Sequence, residues 1–383
     1  MELILLFFIL IVIDYVLFIA LLIYGFDKVK TFETADLKPI TTFSVIVPFR
    51  NEANNFLDLL QSISQLDYPK NLYEIIVVDD FSEDQSVKIF NKWRFENGLI
   101  QTTLLENLRL TNSPKKDAIS RAIPVVKYDW IITTDADCVV NRNWLKILDN
   151  YIQNHEVEMI AGAVSISTKQ NPLQIFQYLD LLSLQGTTIG SFGLKEPFMC
   201  NGANFGYTKK FFLELKGFDG NNNMASGDDV FLLQKAIRSN ANKVHYLKHS
   251  ENIVHTKPEK SLKSLFMQRV RWASKTGSYD SDFAKALAVI VLLMNIGFVG
   301  FLIFNISGFK DIFTIETKNS LIVSFIIKFV IDYILLWKTN KFIENKKFFF
   351  PLLSSLIYPF YCAIVGIYSL FGSFSWKGRR FKK

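Results

Sequence analysis

The sequence predicts an α/β domain with a mostly parallel sheet, attached to helices that span a membrane. Between residues 40 and 255, apolar runs rich in Val and Ile alternate with stretches of helical period, which is typical of parallel strands buried on both faces. Half of the 383 residues are apolar, and the excess lies in long blocks near the two ends of the chain. An ordinary soluble protein is therefore excluded.

The first apolar block predicts an N-terminal membrane anchor over residues 1–27. Leu3 to Tyr24 carries one charge, Asp14, and is long enough to cross a hydrocarbon core of about 30 Å. The chain lacks the basic start of a signal peptide, and Lys28 and Lys30 follow the block. These features predict an uncleaved anchor with the next segment in the cytosol.

Three further blocks predict a C-terminal membrane region over residues 284–373, followed by a basic tail over 374–383. The blocks are Ala286–Ile306, Leu321–Trp337, which is at the short limit for a span, and Phe348–Phe371. Three crossings would put the tail outside, whereas basic residues favour the cytosolic side. One block is therefore predicted to be re-entrant or interfacial, and the sequence does not indicate which.

Two prolines and one pair of charged residues within these blocks predict further structural features. Pro351 and Pro359 predict that the last block is kinked or lies partly in the membrane interface. Lys328 and Asp332 stand four residues apart, hence on one helix face. They are interpreted either as part of a polar path for a growing glycan or as a mutually neutralised pair at a helix contact, with Asp14 as a further partner.

In the central segment, polar clusters follow the predicted strands. The strands are Phe43–Pro48, Glu74–Asp80, Leu99–Leu105 and Asp129–Thr134, with helices around Phe56–Ile63 and Asp84–Arg94. Ligands of such sheets bind beyond the carboxyl ends of the strands. The clusters at those ends are Pro48–Glu52, Asp79-Asp80 and Asp135-Ala136-Asp137.

The carboxylates in these clusters are candidates for chemistry. Asp135 and Asp137 provide the oxygen ligands that Mg²⁺ or Mn²⁺ prefers, and the alternative is a solvated turn. Asp79-Asp80 can accept hydrogen bonds from a nucleoside, or can cap a turn. Gly227-Asp228-Asp229 begins a predicted helix, so that Asp229 is either a catalytic base or a plain N-terminal cap.

The last motif lies on a helix predicted from about Pro258 to Lys275. Gln268, Arg271 and Trp272 share one face of it and can serve a diphosphate and a sugar ring. The alternative is a basic interfacial helix, and Lys263, Arg269 and Lys275 are expected to have that interfacial role.

Taken in order, these motifs resemble those of membrane-bound family 2 glycosyltransferases of GT-A fold, such as the cellulose, chitin, hyaluronan and poly-N-acetylglucosamine synthases. The motifs are Pro48–Glu52, Val77–Ser82, Asp135–Asp137, Asn201–Asn204, Gly227–Asp229 and Gln268–Trp272, with a looser likeness at Trp376–Arg379. The resemblance covers about residues 40–280, and residues 40–283 are predicted to form the GT-A domain, including the helix that carries Gln268–Trp272.

The resemblance implies a role for each matching residue. Asp229 would be the catalytic base. Asp137 and Asp135 would hold a divalent metal, Mg²⁺ or Mn²⁺. The donor would contact Pro48, Arg50, Glu52, Asp79, Asp80, Lys116, Asp135 and Arg271, and the acceptor would contact Asn201, Gly202, Asp228, Gln268 and Trp272. The sequence departs from the family in Gly227-Asp228, where Thr or Ser followed by Glu is common, and in Ser113-Pro114-Lys115-Lys116, where a glycine usually precedes the lysine.

The implied function is inverting transfer of a sugar from a nucleotide sugar, a UDP-sugar by the resemblance, to a glycan or lipid-linked acceptor in cell-envelope polysaccharide synthesis. The catalytic domain would face the cytosol at the inner membrane, in contact with lipids. A net charge of +7 suits an anionic donor and membrane surface, and its dispersion disfavours nucleic acid. Processive and single additions both remain open. The alternative is a non-catalytic membrane scaffold or nucleotide-sugar sensor.

Overall fold

The computed structural model describes residues 2–167, 171–221, 224, 226–306, 314–344, 351–377 and 379–381. The strands in chain order are β1 (Phe43–Phe49), β2 (Tyr73–Asp79), β3 (Gln101–Glu106), β4 (Trp130–Thr133), β5 (Cys138–Val139), β6 (Met159–Gly162), β7 (Val164–Ile166), β8 (Phe205–Thr208), β9 (Val244–Leu247), β10 (Val254–Thr256), β11 (Phe374–Trp376) and β12 (Arg379–Phe381).

The helices alternate with these strands and then continue into the C-terminal region. They are α1 (Glu2–Lys28), α2 (Phe56–Ser64), α3 (Ser86–Glu96), α4 (Pro114–Ala122), α5 (Trp144–Asn154), α6 (Pro172–Gly193), α7 (Lys209–Glu214), α8 (Asp228–Asn240), α9 (Leu262–Ala273), α10 (Asp282–Ile306), α11 (Ile315–Ile343) and α12 (Pro351–Phe371).

Within the described residues the central sheet has seven strands in the order β3-β2-β1-β4-β8-β6-β9. Strands β3, β2, β1 and β4 are parallel, as are β6 and β9, whereas β8 is antiparallel to both of its neighbours. The prediction of a mostly parallel sheet is confirmed. A small sheet of order β5-β10-β7 and a β11–β12 hairpin complete the described strands.

The sheet is covered on both faces, which explains its continuous apolar strands. Along β1, Val45 and Val47 pack into one hydrophobic cluster, whereas Ile46 packs into the other. Successive side chains of a strand point to opposite faces, so each residue of such a strand needs an apolar side chain. The parallel register also pairs Phe49 with Asp79, and therefore the segments after β1 and β2 leave the sheet at the same edge.

Among the residues that the structure describes, four helices are long and apolar enough to cross a membrane: α1, α10, α11 and α12. Helix α11 is longer than the apolar block Leu321–Trp337 that predicted it, because the helix runs from Ile315 to Ile343. Residues 348–350 of the last predicted block lie outside the described residues, and Pro359 lies inside α12. The anchor α1 packs closely on α6, where a Cβ atom on Gly190 would lie 2.4 Å from the Leu22 carbonyl oxygen. Only glycine permits this approach of two backbones.

Candidate active site

A large cavity of about 1380 Å³ lies beyond the carboxyl ends of β1 and β4. It extends from the sheet past α9 into the helical bundle of the C-terminal region. Most predicted site residues line it, and these are Pro48, Arg50, Glu52, Asp80, Asp135, Asp137, Asn201, Gly202, Asp228, Asp229, Gln268, Arg271 and Trp272. The fold therefore brings side chains from distant parts of the chain to one cavity.

The ends of β1 and β2 are joined by Arg50. Its Nη1 donates to the carbonyl oxygens of Asp80 at 2.8 Å and Phe81 at 2.6 Å. The backbone is left-handed at Asn51, with φ of 52°, and at Phe81, with φ of 59°. Such conformations are uncommon for residues other than glycine, and of these two residues Asn51 lines the cavity.

Asp80 is the best-paired carboxylate of this region. Its Oδ1 accepts from Asn107 Nδ2 at 2.9 Å and from Arg109 Nε at 2.8 Å. Its Oδ2 accepts from Arg379 Nη1 at 2.7 Å. Neither arginine is among the predicted site residues, and the side chain of Asp80 is buried beneath them.

The C-terminal tail supplies a second contact to the same region. Lys377 lines the cavity, and its Nζ pairs with the carboxylate of Glu52 and lies 3.4 Å from the carbonyl oxygen of Arg50. Burial lowers the pKa of Lys377 to about 8. The tail therefore sits directly on the residues that the sequence assigns to donor binding.

Three carboxylates, those of Asp135, Asp228 and Asp229, surround Lys115 in the cavity. Lys115 Nζ lies 2.7 Å from Asp135 Oδ1 and 3.4 Å from Asp228 Oδ2. Burial on its own would lower the pKa of Lys115, but Asp135, Asp228 and Asp229 hold it above its ordinary value. The lysine thus stays charged and partly neutralises the carboxylates.

The position of Asp229 follows from the start of α8. Its Oδ2 accepts the Gly202 N–H at 2.9 Å, and its Oδ1 accepts the Val230 N–H at 2.7 Å. Burial would raise the pKa of Asp229, but Lys275, Lys115 and these two N–H donors hold it below its ordinary value. Asp229 is therefore ionised at neutral pH.

The backbone conformation at the start of α8 explains why position 227 is a glycine in this chain. Its φ is 87°, and a Cβ atom there would lie 2.7 Å from Cε2 of Phe231. A residue with a side chain would be strained in this backbone and would collide with the ring.

Two predicted donor residues, Asp79 and Lys116, are described by the structure but lie outside the cavity wall. Asp79 Oδ1 accepts the Ser82 N–H at 3.0 Å, which is the turn-capping alternative. Lys116 is buried and donates to the carbonyl oxygens of Asn221 at 2.6 Å and Met224 at 3.1 Å. Its neighbour Lys115 faces the cavity instead.

Helix α9 carries Gln268, Arg271 and Trp272 into the cavity wall. The expectation that Arg269 and Lys275 are interfacial is wrong, because both are buried. Arg269 Nε pairs with the carboxylate of Asp180 on α6, and its guanidinium lies 4.1 Å from the centre of the Trp272 ring. Lys275 Nζ lies 4.0 Å from Asp229 Oδ1.

The far end of the cavity holds the charged pair of the helical bundle. Lys328 Nζ lies 2.6 Å from Asp332 Oδ2, and the Tyr15 hydroxyl donates to Asp332 Oδ1 at 2.6 Å. The predicted neutralised pair is confirmed, but its further partner is Tyr15, since Asp14 is exposed. Lys328, Asp332 and Tyr15 also line the cavity, so the interpretation as a polar path stays a prediction.

Asp135 and Asp137, the carboxylates that the sequence predicts as metal ligands, both line the cavity. In the part of the chain that is described, no three His, Cys, Asp or Glu side chains form a group that could hold a metal ion. Two carboxylates are nevertheless sufficient for Mg²⁺ when substrate phosphates complete its coordination. Burial, and then the charge of Asp135, raise the pKa of Asp137 to about 6, which is the expected state of a paired carboxylate without a cation.

Two family models match the chain. One, described as Glycosyl transferase family 2, matches residues 44–215, and the other, described as Glycosyl transferase family group 2, matches residues 130–371. The second match covers more than half of the chain. The chain belongs to glycosyl transferase family group 2. The match confirms both the predicted glycosyltransferase family and the prediction that the protein is an enzyme.

Two curated relatives are similar to parts of the glycosyltransferase. It is 31% identical over 118 residues, which are 31% of the chain, to the poly(ribitol-phosphate) beta-N-acetylglucosaminyltransferase TarS of Staphylococcus aureus, and the match covers 20% of TarS. It is 26% identical over 164 residues, 43% of the chain, to the poly-beta-1,6-N-acetyl-D-glucosamine synthase of the same species, of which 37% is covered. The matches thus span well under half of either relative.

Solved structures of other glycosyltransferases include one that is similar over most of the chain. This is the mannosyltransferase PcManGT of Pyrobaculum calidifontis in complex with GDP-Man and Mn²⁺, with a TM-score of 0.58 and 16% identity. The likeness covers 89% of this chain and 99% of PcManGT. The predicted GT-A fold is confirmed.

Proposed function

We propose that the protein is a membrane-bound inverting glycosyltransferase that moves a sugar from a nucleotide sugar, a UDP-sugar by family resemblance, to a glycan or lipid-linked acceptor. The observation that carries this proposal is the convergence of Asp229, Asp135, Asp137 and Arg271 on one cavity. A binding module has no need of an ionised base next to a diphosphate site.

The donor would bind between the strand ends and the acidic cluster. Arg50, Glu52 and Asp80, at the ends of β1 and β2, would face the nucleoside, with Pro48 shaping the wall. Lys115, rather than Lys116, would reach the diphosphate, because its Nζ already lies in the cavity beside Asp135. Arg271 would contact the diphosphate from α9 with its planar guanidinium.

Asp135 and Asp137 would hold a divalent cation, Mg²⁺ or Mn²⁺. When bound, the cation supplies positive charge against the leaving diphosphate. Two features support this assignment: the paired carboxylates and the raised pKa of Asp137. PcManGT, a structural neighbour, was solved with Mn²⁺.

The chain's own residues would then carry out the proton transfer. Asp229, held by the Gly202 and Val230 N–H groups, would take the proton from an acceptor hydroxyl positioned by Asn201, Gln268 and Trp272. The hydroxyl oxygen would attack the anomeric carbon while the nucleoside diphosphate leaves from the opposite face. A single base without a covalent intermediate inverts the configuration.

The proposed location is the membrane, with the catalytic domain on the cytosolic side. The helices long enough to span and the basic residues Lys28 and Lys30 after α1 support it. A donor panel against membranes that contain the protein, scored for diphosphate release with Mn²⁺, tests the proposed reaction. Diphosphate release that Asp229→Asn strongly lowers supports the proposed reaction. No release from any UDP- or GDP-sugar would contradict the proposal.

A further inference from the structure

Helices α10 and α12 run antiparallel and face each other along one stripe of each helix. Asn295 Nδ2 lies 3.7 Å from the Cys362 sulfur, and a Cβ atom on Gly366 would lie 2.7 Å from Cδ1 of Leu292. The two contacts are about one helical turn apart, because side chains three or four residues apart share a helix face. The helices are therefore packed together at these two levels.

The next turn of the same stripe carries Val289 on α10 and Leu370 on α12. Both side chains line the catalytic cavity, yet Val289 is 55% and Leu370 is 51% exposed. A side chain that lines a cavity and is also half exposed lies where the cavity opens to the surroundings. Among the described residues, the cavity therefore opens between α10 and α12 at this turn.

This opening lies on the side of the catalytic domain. Helix α10 begins at Asp282, directly after the catalytic domain, and Val289 lies about 10 Å along it. The other rim is the last turn of α12, and the segment after that helix returns Arg379 to Asp80. In the proposed membrane location, with a hydrocarbon core of about 30 Å, the opening lies within the leaflet next to the catalytic domain.

The rim combines apolar side chains with one lysine. Lys285, one turn before Val289 on α10, also lines the cavity, and 46% of its side chain is exposed. Its Nζ lies 3.8 Å from Asp282 Oδ1, in an exposed pair that contributes little free energy. An ammonium group beside an apolar opening complements a lipid, because lysine binds phosphate and the apolar rim accommodates hydrocarbon.

The start of α10 is also fixed to the helix that carries the proposed base. The Asp280 N–H donates to Gln234 Oε1 on α8 at 3.1 Å. Asp229 lies in the first turn of α8 and lines the same cavity. A headgroup that enters beside Lys285 therefore enters the cavity that contains the base.

We propose that the acceptor is a phosphate-bearing membrane lipid, whose headgroup presents the reacting hydroxyl in the cavity while its hydrocarbon chains leave between α10 and α12. Lys285 contacts the lipid phosphate. Asp229 takes the hydroxyl proton, the hydroxyl oxygen bonds to the anomeric carbon, and the bond from that carbon to the nucleoside diphosphate breaks. The inference rests on the proposed function and selects the lipid-linked acceptor over a free glycan.

Product analysis with the full-length protein in phosphatidylcholine vesicles tests the acceptor class. A labelled donor is supplied with phosphatidylglycerol, with polyprenyl diphosphate-linked N-acetylglucosamine, or with a water-soluble N-acetylglucosamine oligosaccharide. We expect labelled lipid in the chloroform–methanol extract, and the lipid that accepts the label identifies its source. Diphosphate release with label only in water-soluble products overturns this proposal alone, whereas no release with any donor contradicts the proposed function as well.

Tryptophan substitutions test the path of the hydrocarbon chains. The double variant Val289→Trp/Leu370→Trp fills the opening. The control Ile364→Trp/Ile367→Trp adds the same bulk to the outer face of α12, where these residues are 59% and 51% exposed. We expect transfer to lipid about tenfold lower in the first variant than in the control, with UDP affinity measured in both as a check of the fold. Equal transfer to lipid overturns the proposed opening.

Lys285→Gln tests the phosphate contact without adding bulk. We expect the KM for the lipid to rise several-fold while the KM for the donor is unchanged. Lys341→Gln removes the same charge from an exposed position on α11 and is the matched control. A lipid KM that is the same in the two variants overturns the contact of Lys285 with the lipid phosphate.

Discussion

Arg379 Nη1 donates to Asp80 Oδ2 at 2.7 Å, so that the end of the chain is bound to the end of β2. Asp80 Oδ1 is already paired with Arg109 at 2.8 Å. In the proposed function Asp80 faces the nucleoside, and therefore the tail and the donor compete for the same carboxylate oxygen.

Removal of that competitor predicts tighter nucleotide binding. For Arg379→Ala we expect UDP affinity to rise up to about fivefold, since a partly exposed ion pair contributes up to about 1 kcal/mol. Isothermal titration measures the change, and Lys382→Ala removes the same charge as a matched control. Weaker binding by Arg379→Ala than by the control would show that the tail binds together with the nucleotide.

Asp229→Asn is expected to lower transfer by about 10²–10⁴-fold, the range that a general base contributes. The amide oxygen can accept only one of the two N–H groups that Asp229 holds, those of Gly202 and Val230, so a modest loss of stability is expected, with little change in UDP affinity. Asp228→Asn is the matched control: burial raises the pKa of Asp228, which makes it a poorer candidate for an ionised base. Equal loss in the two variants would contradict the assignment of Asp229.

Substitutions of the adjacent Lys115 and Lys116 are expected to affect different properties, namely donor KM and stability. Lys115→Met should raise the KM for the donor with little change in stability, because its Nζ lies among Asp135 and Asp228 in the cavity. Lys116→Met should cost about 1–3 kcal/mol of unfolding free energy, because the buried Lys116 donates to two carbonyl oxygens that would lose their donor. It should leave the KM nearly unchanged. Thermal unfolding and donor titration of both variants check the pair, and the reverse pattern would restore Lys116 as the donor residue.

The central strands and the carboxylates were predictable, because each depends on local pattern. β1 and β2 are continuous apolar runs, and a carboxylate that follows such a strand must lie at the edge where ligands bind. Lys115 was missed because neighbouring residues on a helix differ in direction by about 100°, so a register error of one residue exchanges a cavity-facing side chain for a buried one.

Other features depend on contacts between distant segments, which local pattern does not report. The pairing of Arg269 with Asp180 joins α9 to α6, and the return of Arg379 to Asp80 depends on the path of α12. A basic residue before an apolar block is typical of a membrane interface, and the sequence contains no signal that Arg269 is buried instead.

The buried Arg269–Asp180 pair predicts that a single variant destabilises the protein and that a double variant restores most of the stability. Both side chains are 6% exposed, so Asp180→Asn should cost about 3–5 kcal/mol by leaving a buried guanidinium unpaired. The double variant Asp180→Leu/Arg269→Met should recover most of that loss, because no charge remains buried. Chemical unfolding in detergent measures both. Additive losses in the double variant would contradict a direct pairing.

The raised pKa of Asp137 predicts a pH-dependent affinity for metal. The ionised carboxylate binds the cation, and burial together with Asp135 raises this pKa to about 6. Protons therefore compete below pH 6, and Mn²⁺ affinity at pH 5 should be about tenfold weaker than at pH 7, with little change from pH 7 to 8. Titration followed by the electron paramagnetic resonance of free Mn²⁺ measures this. Asp137→Asn should bind weakly at every pH, and a wild-type affinity that is constant from pH 5 to 7 would exclude Asp137 as a metal ligand.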